Sequence, residues 1–223
     1  MVKVQFRERL QQAGQSLGLD MDVQQVDTLL AYLDQLQRWN KTYNLTALRD
    51  PEQMLVQHLI DSLSIVKPLN QILYKNTASD KVIIDVGSGA GLPGVVLATM
   101  QAQWQVHCID AVEKKMAFVR QMSGVLQLRN LHAHHQRIER MSLFQADIVV
   151  SRAFASLADF ATLAGRHVAP EGHLVAMKGR EPQEEAEVLR QNTPWRITHI
   201  ETLPVPELNA QRCLVWMSRQ GSL

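Results

Sequence analysis

IDVGSGAGLPGVVL, running from Ile84 to Leu97, is the stretch whose reading decides the fold, because it holds two overlapping glycine patterns. Gly89 to Gly94 fits the G-x-G-x-x-G of dinucleotide-binding turns. Starting from Asp85, the same residues give an acid followed by three alternating glycines, Gly87, Gly89 and Gly91, which suits a different adenosyl ligand. In both patterns the glycines let the backbone leave a strand sharply, approach a ligand closely and open a helix.

Downstream of this turn, short apolar runs alternate with segments able to form helices. The candidate strands are 82–86, 105–109, 131–135, 147–151 and 173–177. Such a βα repeat predicts an α/β fold with a mostly parallel sheet covered by helices on both faces. WRITHIETLPVP and RCLVWMSR then follow with only a short proline-containing loop between them, so they should close the sheet as a terminal antiparallel hairpin. Upstream the period is helical. Asp22 and Gln25 form a capping-box pattern before Val26, Leu29, Leu30, Leu33 and Leu36, and Asp50-Pro51 opens a second run through Leu55, Leu59, Leu63 and Val66. The expected organisation is an N-terminal helical cap over 1–75 and a Rossmann-like core over 76–223, together one compact unit.

Three features favour the alternating-glycine pattern. Asp85 stands at the end of the first strand, the terminal hairpin is unlike the second half of a dehydrogenase, and no sizeable further domain follows to hold a hydride acceptor. Asp110, at the end of the second strand, is placed to receive ribose hydroxyls of any adenosine-type ligand, although a helix-capping role would use the same carboxylate. S-adenosylmethionine is therefore the expected cofactor, held by Asp85, Gly87, Gly89, Gly91 and Asp110, with a nicotinamide cofactor as the rival.

A net charge of +1 excludes a globally basic protein but leaves room for one basic face. Cys108 and Cys213 lie in apolar runs without C-x-x-C spacing, as buried reduced thiols do. The charged N-terminus and the lack of long apolar runs predict a cytoplasmic protein with no membrane segment.

HLIDSL, DVGSGAGLPG, SRAFASL and MKG, in this order behind RWNKTYNLT, resemble the bacterial small-subunit ribosomal RNA guanine-N7 methyltransferases, the glucose-inhibited division protein B family. The resemblance spans nearly the whole chain and is loose after Trp195. It implies a class I (Rossmann-like) methyltransferase that uses S-adenosylmethionine to methylate guanine N7 in 16S ribosomal RNA, the family site being guanine 527 of that RNA. The substrate would be the RNA or the small ribosomal subunit, and the enzyme a monomer. Carried over position by position, the resemblance puts cofactor contacts at Gly87, Leu92, Ile138, Glu139 and Arg152, where Ile138 replaces the family's valine or alanine. It also suggests that the face of His58, Asp61 and Ser62 lines the cleft beside the cofactor, and these three residues are assigned to the RNA substrate.

Guanine N7 carries a lone pair in the neutral base, so attack needs alignment more than a general base. No catalytic base is assigned; Arg152 and Lys178 are positioning candidates. Lys178 and Arg180 follow the fifth strand on the edge where ligands bind, and are assigned to RNA phosphate by position, with a surface ion pair as the alternative. His58, Asp61 and Ser62 share one face at i, i+3 and i+4 if the helix is regular, which would also serve an interdomain hydrogen-bond cluster. His132 and His134 share a strand face without a third ligand nearby, so no metal is expected. Arg38, Trp39, Lys41 and Tyr43 mix cations and aromatics as base-stacking surfaces do, while Trp39 also continues the core stripe.

Overall fold

The computed structural model describes residues 2–74, 81–152, 154 and 156–221. Helix α1 (Val2–Ser16) precedes α2 (Val23–Tyr43), whose capping box is complete. The Asp22 carboxylate accepts from the Gln25 amide at 2.7 Å, and the Gln25 side chain accepts from the Asp22 amide at 3.0 Å. Val26, Leu29, Leu33 and Leu36 are buried and Leu30 half-buried, as the stripe predicts. Asp50 caps α3 (Pro51–Met54), which continues as a π-helical stretch (Leu55–Ile60) into α4 (Asp61–Leu63); α5 (Val66–Leu73) follows. Leu55, Leu59, Leu63 and Val66 are buried.

The repeat then runs β1 (Lys81–Val86), α6 (Gly94–Met100), β2 (Trp104–Asp110), α7 (Glu113–Val125), β3 (Leu131–His135), a 3-10 turn (Ile138–Arg140), β4 (Ala146–Ser151), α8 (Leu157–Ala164), a second 3-10 turn (Gly165–His167), β5 (Val168–Lys178), α9 (Gln183–Asn192), β6 (Trp195–Thr202) and β7 (Cys213–Arg219). The strands form one seven-stranded sheet in the order β3-β2-β1-β4-β5-β7-β6, parallel except for β7, which pairs antiparallel with both β5 and β6. β5 begins at Val168 instead of the expected His173. Its pairing with β4 slips between Ala146 and Ile148, and a Cβ at Gly172 would meet the Ala146 carbonyl at 2.6 Å, so an irregular strand entry that hydropathy does not signal adds these residues.

Alternation along β1 feeds two cores. Ile83 packs with α2, α6 and α7 on one face; Ile84 and Val86 pack with α8 and α9 on the other. The first of these cores is continuous from α1 and α2 to the sheet, and the buried Tyr32 hydroxyl of α2 donates to the Ala90 carbonyl at 2.8 Å. The helical cap thus rests directly on the glycine turn. The boundary expected between residues 75 and 76 lies outside the described residues. Among the described residues no helix is long and apolar enough to cross a membrane.

Candidate functional site

The chain reverses direction across the sheet between β1 and β4, and in open α/β sheets ligands bind outside the strand carboxyl ends at that point. Gly87, Gly89 and Gly91 all adopt positive φ, at 68°, 61° and 93°, so the alternating-glycine pattern is the one the backbone uses. Gly94 instead opens α6. The Gly87 and Ser88 amides donate to the Ile109 carbonyl at 2.8 and 3.2 Å, which folds the turn over β2. Asp110 completes it: one carboxylate oxygen accepts from the Gly89 amide at 3.0 Å and the other from the Val112 amide at 2.9 Å, with the Lys115 ammonium 3.8 Å away. A Cβ on Gly89 would meet nothing within 4 Å. The turn therefore presents open space beside an acid, a cradle that fits an adenosyl ligand with ribose hydroxyls.

Asp85 sits differently from its expected contact with that ligand. It is fully buried behind the turn, where one oxygen accepts from the Gly94 amide at 2.8 Å and the other has no partner among the described residues. Burial pushes its carboxyl up to about 7, against the opposing effects of the Gly94 amide and Arg152. Asp85 shapes the turn from the core side. Leu92 is likewise buried.

At the end of β3, register places Asp110 opposite His135, so the following turn flanks the same opening. There Glu139 is exposed, whereas the Ile138 side chain is buried and its carbonyl accepts from His167 at 2.9 Å. Only the backbone of Ile138 is left to meet a ligand.

The β4 side of the edge is polar. The Ser151 hydroxyl donates to the Val86 carbonyl at 2.7 Å. Arg152 Nη1 then reaches Asp61 Oδ2 at 3.3 Å and the Gln57 carbonyl at 3.1 Å, while Arg212, just before β7, holds Asp61 Oδ1 through Nε at 2.9 Å. His58 Nε2 lies 3.0 Å from the Thr46 hydroxyl, and burial followed by the charge of Arg152 lowers the imidazole to about 4, so it is neutral. Asn40 fixes this arrangement by accepting from the Thr46 amide and donating to the Leu48 carbonyl, both at 2.9 Å. His58, Asp61, Arg152, Lys178 and Arg212 line a cleft of about 410 Å³.

The expected face of His58, Asp61 and Ser62 is not a regular helical one, since the π stretch changes the turn just before Asp61. His58 and Asp61 reach the cleft, but Ser62 is fully buried and its hydroxyl has no partner among the described residues. Lys178 is ion-paired with Glu185 at 3.0 Å, and Glu185 also accepts from the Leu157 amide at 2.7 Å; this is the ion-pair alternative to a phosphate contact. Arg180 is exposed nearby.

Sequence reasoning missed Arg212, Asn40, Thr46 and Tyr32. Asn40 carried a signal, since it occupies the next core position of the α2 stripe after Leu36. Arg212 carried none, lying 151 positions from the carboxylate it holds.

The remaining candidates lie elsewhere. Trp39 packs on Phe118 at 5.4 Å and on Tyr43 at 5.0 Å between ring centroids, which is the core-packing alternative for this residue. His132 pairs with Gln105 and His134 with His107, each at 3.0 Å. Among the described residues no group of three or more His, Cys, Asp or Glu could hold a metal ion. Cys108 and Cys213 are buried free thiols.

A family model described as GidB, rRNA small subunit methyltransferase G, matches residues 25–215. The ribosomal RNA small subunit methyltransferase G of Bordetella petrii is 61% identical over 216 residues, covering 96% of this chain and 84% of that protein. The protein of that name from Methylibium petroleiphilum is 46% identical, covering 95% and 94%. Among solved structures, a SAM-dependent methyltransferase from Aquifex aeolicus shares the fold at a TM-score of 0.57 and 18% identity, covering 78% of this chain and 96% of that one. So does magnesium protoporphyrin IX methyltransferase of Synechocystis with bound SAH, at 0.57 and 17%, covering 86% and 99%.

Proposed function

The chain belongs to the rRNA small subunit methyltransferase G family, and from this premise we propose that it transfers a methyl group from S-adenosylmethionine to N7 of a guanine in 16S ribosomal RNA, at guanine 527. The observation that carries this reading is the Gly89 amide held on the Asp110 carboxylate, with open space at Gly89, at the switch point of the sheet.

When bound, S-adenosylmethionine supplies an electrophilic methyl group on a sulfonium. Asp110 is assigned to the ribose hydroxyls: its two oxygens already accept the Gly89 and Val112 amides, so the carboxylate is fixed in place before the ligand arrives. Gly87, Gly89 and Gly91 shape the wall for the methionine-bearing end, and Asp85 and Leu92 support that wall from behind. The Ile138 backbone and Glu139 flank the adenine region, and Arg152 stands between the turn and the cleft. The cleft of about 410 Å³ is large enough for a flipped purine.

Guanine N7 has no proton to lose, so the groups around the cleft need only align the base. The site matches that demand. His58 is neutral but committed to Thr46, and Lys178 is committed to Glu185. Arg180 is assigned to the outer path of the RNA, with Lys178 holding the strand end in position. The protein acts in the cytoplasm, as a monomer, on the RNA or the assembled small subunit.

The test is transfer of labelled methyl groups to small-subunit RNA, and to subunits from a strain lacking the gene, followed by mapping of the methylated base. Labelled 7-methylguanosine at one position is the expected result. No transfer to either substrate, or label on an exocyclic amine or a ring carbon, would sink the proposal.

A further inference from the structure

We propose that Asp61 is a positioning residue that fixes Arg152 and Arg212 side by side, and that Arg212 takes a phosphodiester of the RNA substrate. This rests on the proposed methyl transfer to ribosomal RNA and adds a residue that the sequence did not single out.

Asp61 is 2% exposed and accepts one guanidinium on each oxygen, from Arg152 at the end of β4 and from Arg212 at the start of β7. A guanidinium has five N–H donors in a fixed fork. Arg152 also uses Nη1 on the Gln57 carbonyl, and Arg212 uses its Nη1 on the Gln211 carbonyl. Nε and Nη2 of Arg152 and Nη2 of Arg212 have no bond among the described residues, and the two side chains remain 27% and 24% exposed. Two guanidinium groups against one carboxylate leave one positive charge in excess, while Lys178 and Glu185 next to them balance. A phosphodiester carries the single negative charge that the excess would match.

Stability alone is a weak reason for this cluster, because a buried ion pair barely repays its desolvation. The π-helical stretch that delivers Asp61 is a second irregularity, and such turns recur at functional sites. The two arginines face different ligands. Arg152 directly follows β4, the neighbour of β1 and its glycine turn, whereas Arg212 directly precedes β7, which lies beyond β5 in the sheet. Arg212 also lines an outer groove with Gln53, Gln57 and Asn209, in which Arg9 is held by Glu52 and Glu207 and so is already paired, leaving Arg212 as the cation that faces the RNA there. The turn side belongs to the methyl donor and the outer side to the RNA.

The experiment measures binding of the full chain to small-subunit RNA across salt concentrations, S-adenosylmethionine affinity by calorimetry, and steady-state kinetics. Arg212→Ala is expected to weaken RNA binding about tenfold and to flatten the salt slope by about 0.7, one single-strand phosphate contact, with cofactor affinity unchanged. Asp61→Asn frees both cations, so RNA affinity should hold or tighten while kcat falls at least tenfold; Asp61→Glu should restore part of kcat. An unchanged salt slope in Arg212→Ala would overturn the proposal, as would a loss of cofactor affinity there, which would assign the anion to the methyl donor. So would an Asp61→Asn protein whose kcat per folded molecule is normal. RNA binding is read without catalysis, so an absence of methyl transfer by the unmodified protein would defeat the functional reading separately.

Discussion

At Gly89 and Gly94 the same added methyl group meets opposite surroundings. A Cβ on Gly94 would lie 2.3 Å from Cys108 Sγ and 3.0 Å from an Asp85 oxygen, inside the packing of β1, β2 and α6. Gly94→Ala should therefore overpack the core, cost about 1–3 kcal/mol of stability and lower the urea midpoint. A Cβ on Gly89 meets nothing, but the residue sits at φ 61°, so Gly89→Ala should cost only about 1 kcal/mol while its methyl group projects into the opening and weakens S-adenosylmethionine binding. Calorimetry and urea unfolding on both variants separate the two, and a Gly89→Ala protein that binds the cofactor normally would refute the placement. Both glycines are legible in the sequence, and the alternating pattern that Asp85 and the terminal hairpin favour there is the one the backbone dihedrals show. What the letters do not carry is the close packing of Gly94 on Cys108 and Asp85. Asp85 is a similar case: its position before the glycines was legible, its place behind the turn was not.

Elements with a regular period are legible, because burial on one face imposes that period on the sequence. The α2 stripe and the β1 to β4 strands are of this kind, and so is β5 apart from its irregular start. The π-helical stretch was illegible for the same reason, since its apolar spacing still satisfied an ordinary helix. Asn40 shows how a break in period carries information. It is a buried polar side chain at the end of a core stripe, and its amide organises the 44–48 loop that brings Thr46 to His58. Asn40→Ala would leave the Leu48 carbonyl and the Thr46 amide without these partners. The expected cost is about 2 kcal/mol, accompanied by loosening of the loop and a fall in methyl transfer larger than any change in cofactor affinity. Hydrogen exchange at Thr46 and Leu48 checks it, and unchanged protection there would count against Asn40 as the organiser.

Over the whole molecule, buried ionisable groups set opposing responses to acid. Burial lowers His58 and His107 from the ordinary 6.5 to about 4, and it lowers His134, His167 and His173 as well. Between about pH 6.5 and 4 the unfolded chain therefore binds protons that the folded one refuses, and stability falls as pH drops. Asp85 acts with the opposite sign. Its carboxyl, raised from 3.8 to about 7, holds a proton in the folded state that the unfolded chain has released, so its contribution is fully present below about 4 and is lost as pH rises through 7. Five histidines against one aspartate make the acid loss the larger effect. The urea midpoint should thus decline from pH 7 to pH 5, with His107→Gln flattening the decline and Asp85→Asn steepening it. A midpoint that rose toward pH 5 in the unmodified protein would mean that Asp85 outweighs the histidines. The two substitutions give responses of opposite sign in one assay, so a uniform loss of stability cannot imitate the pattern.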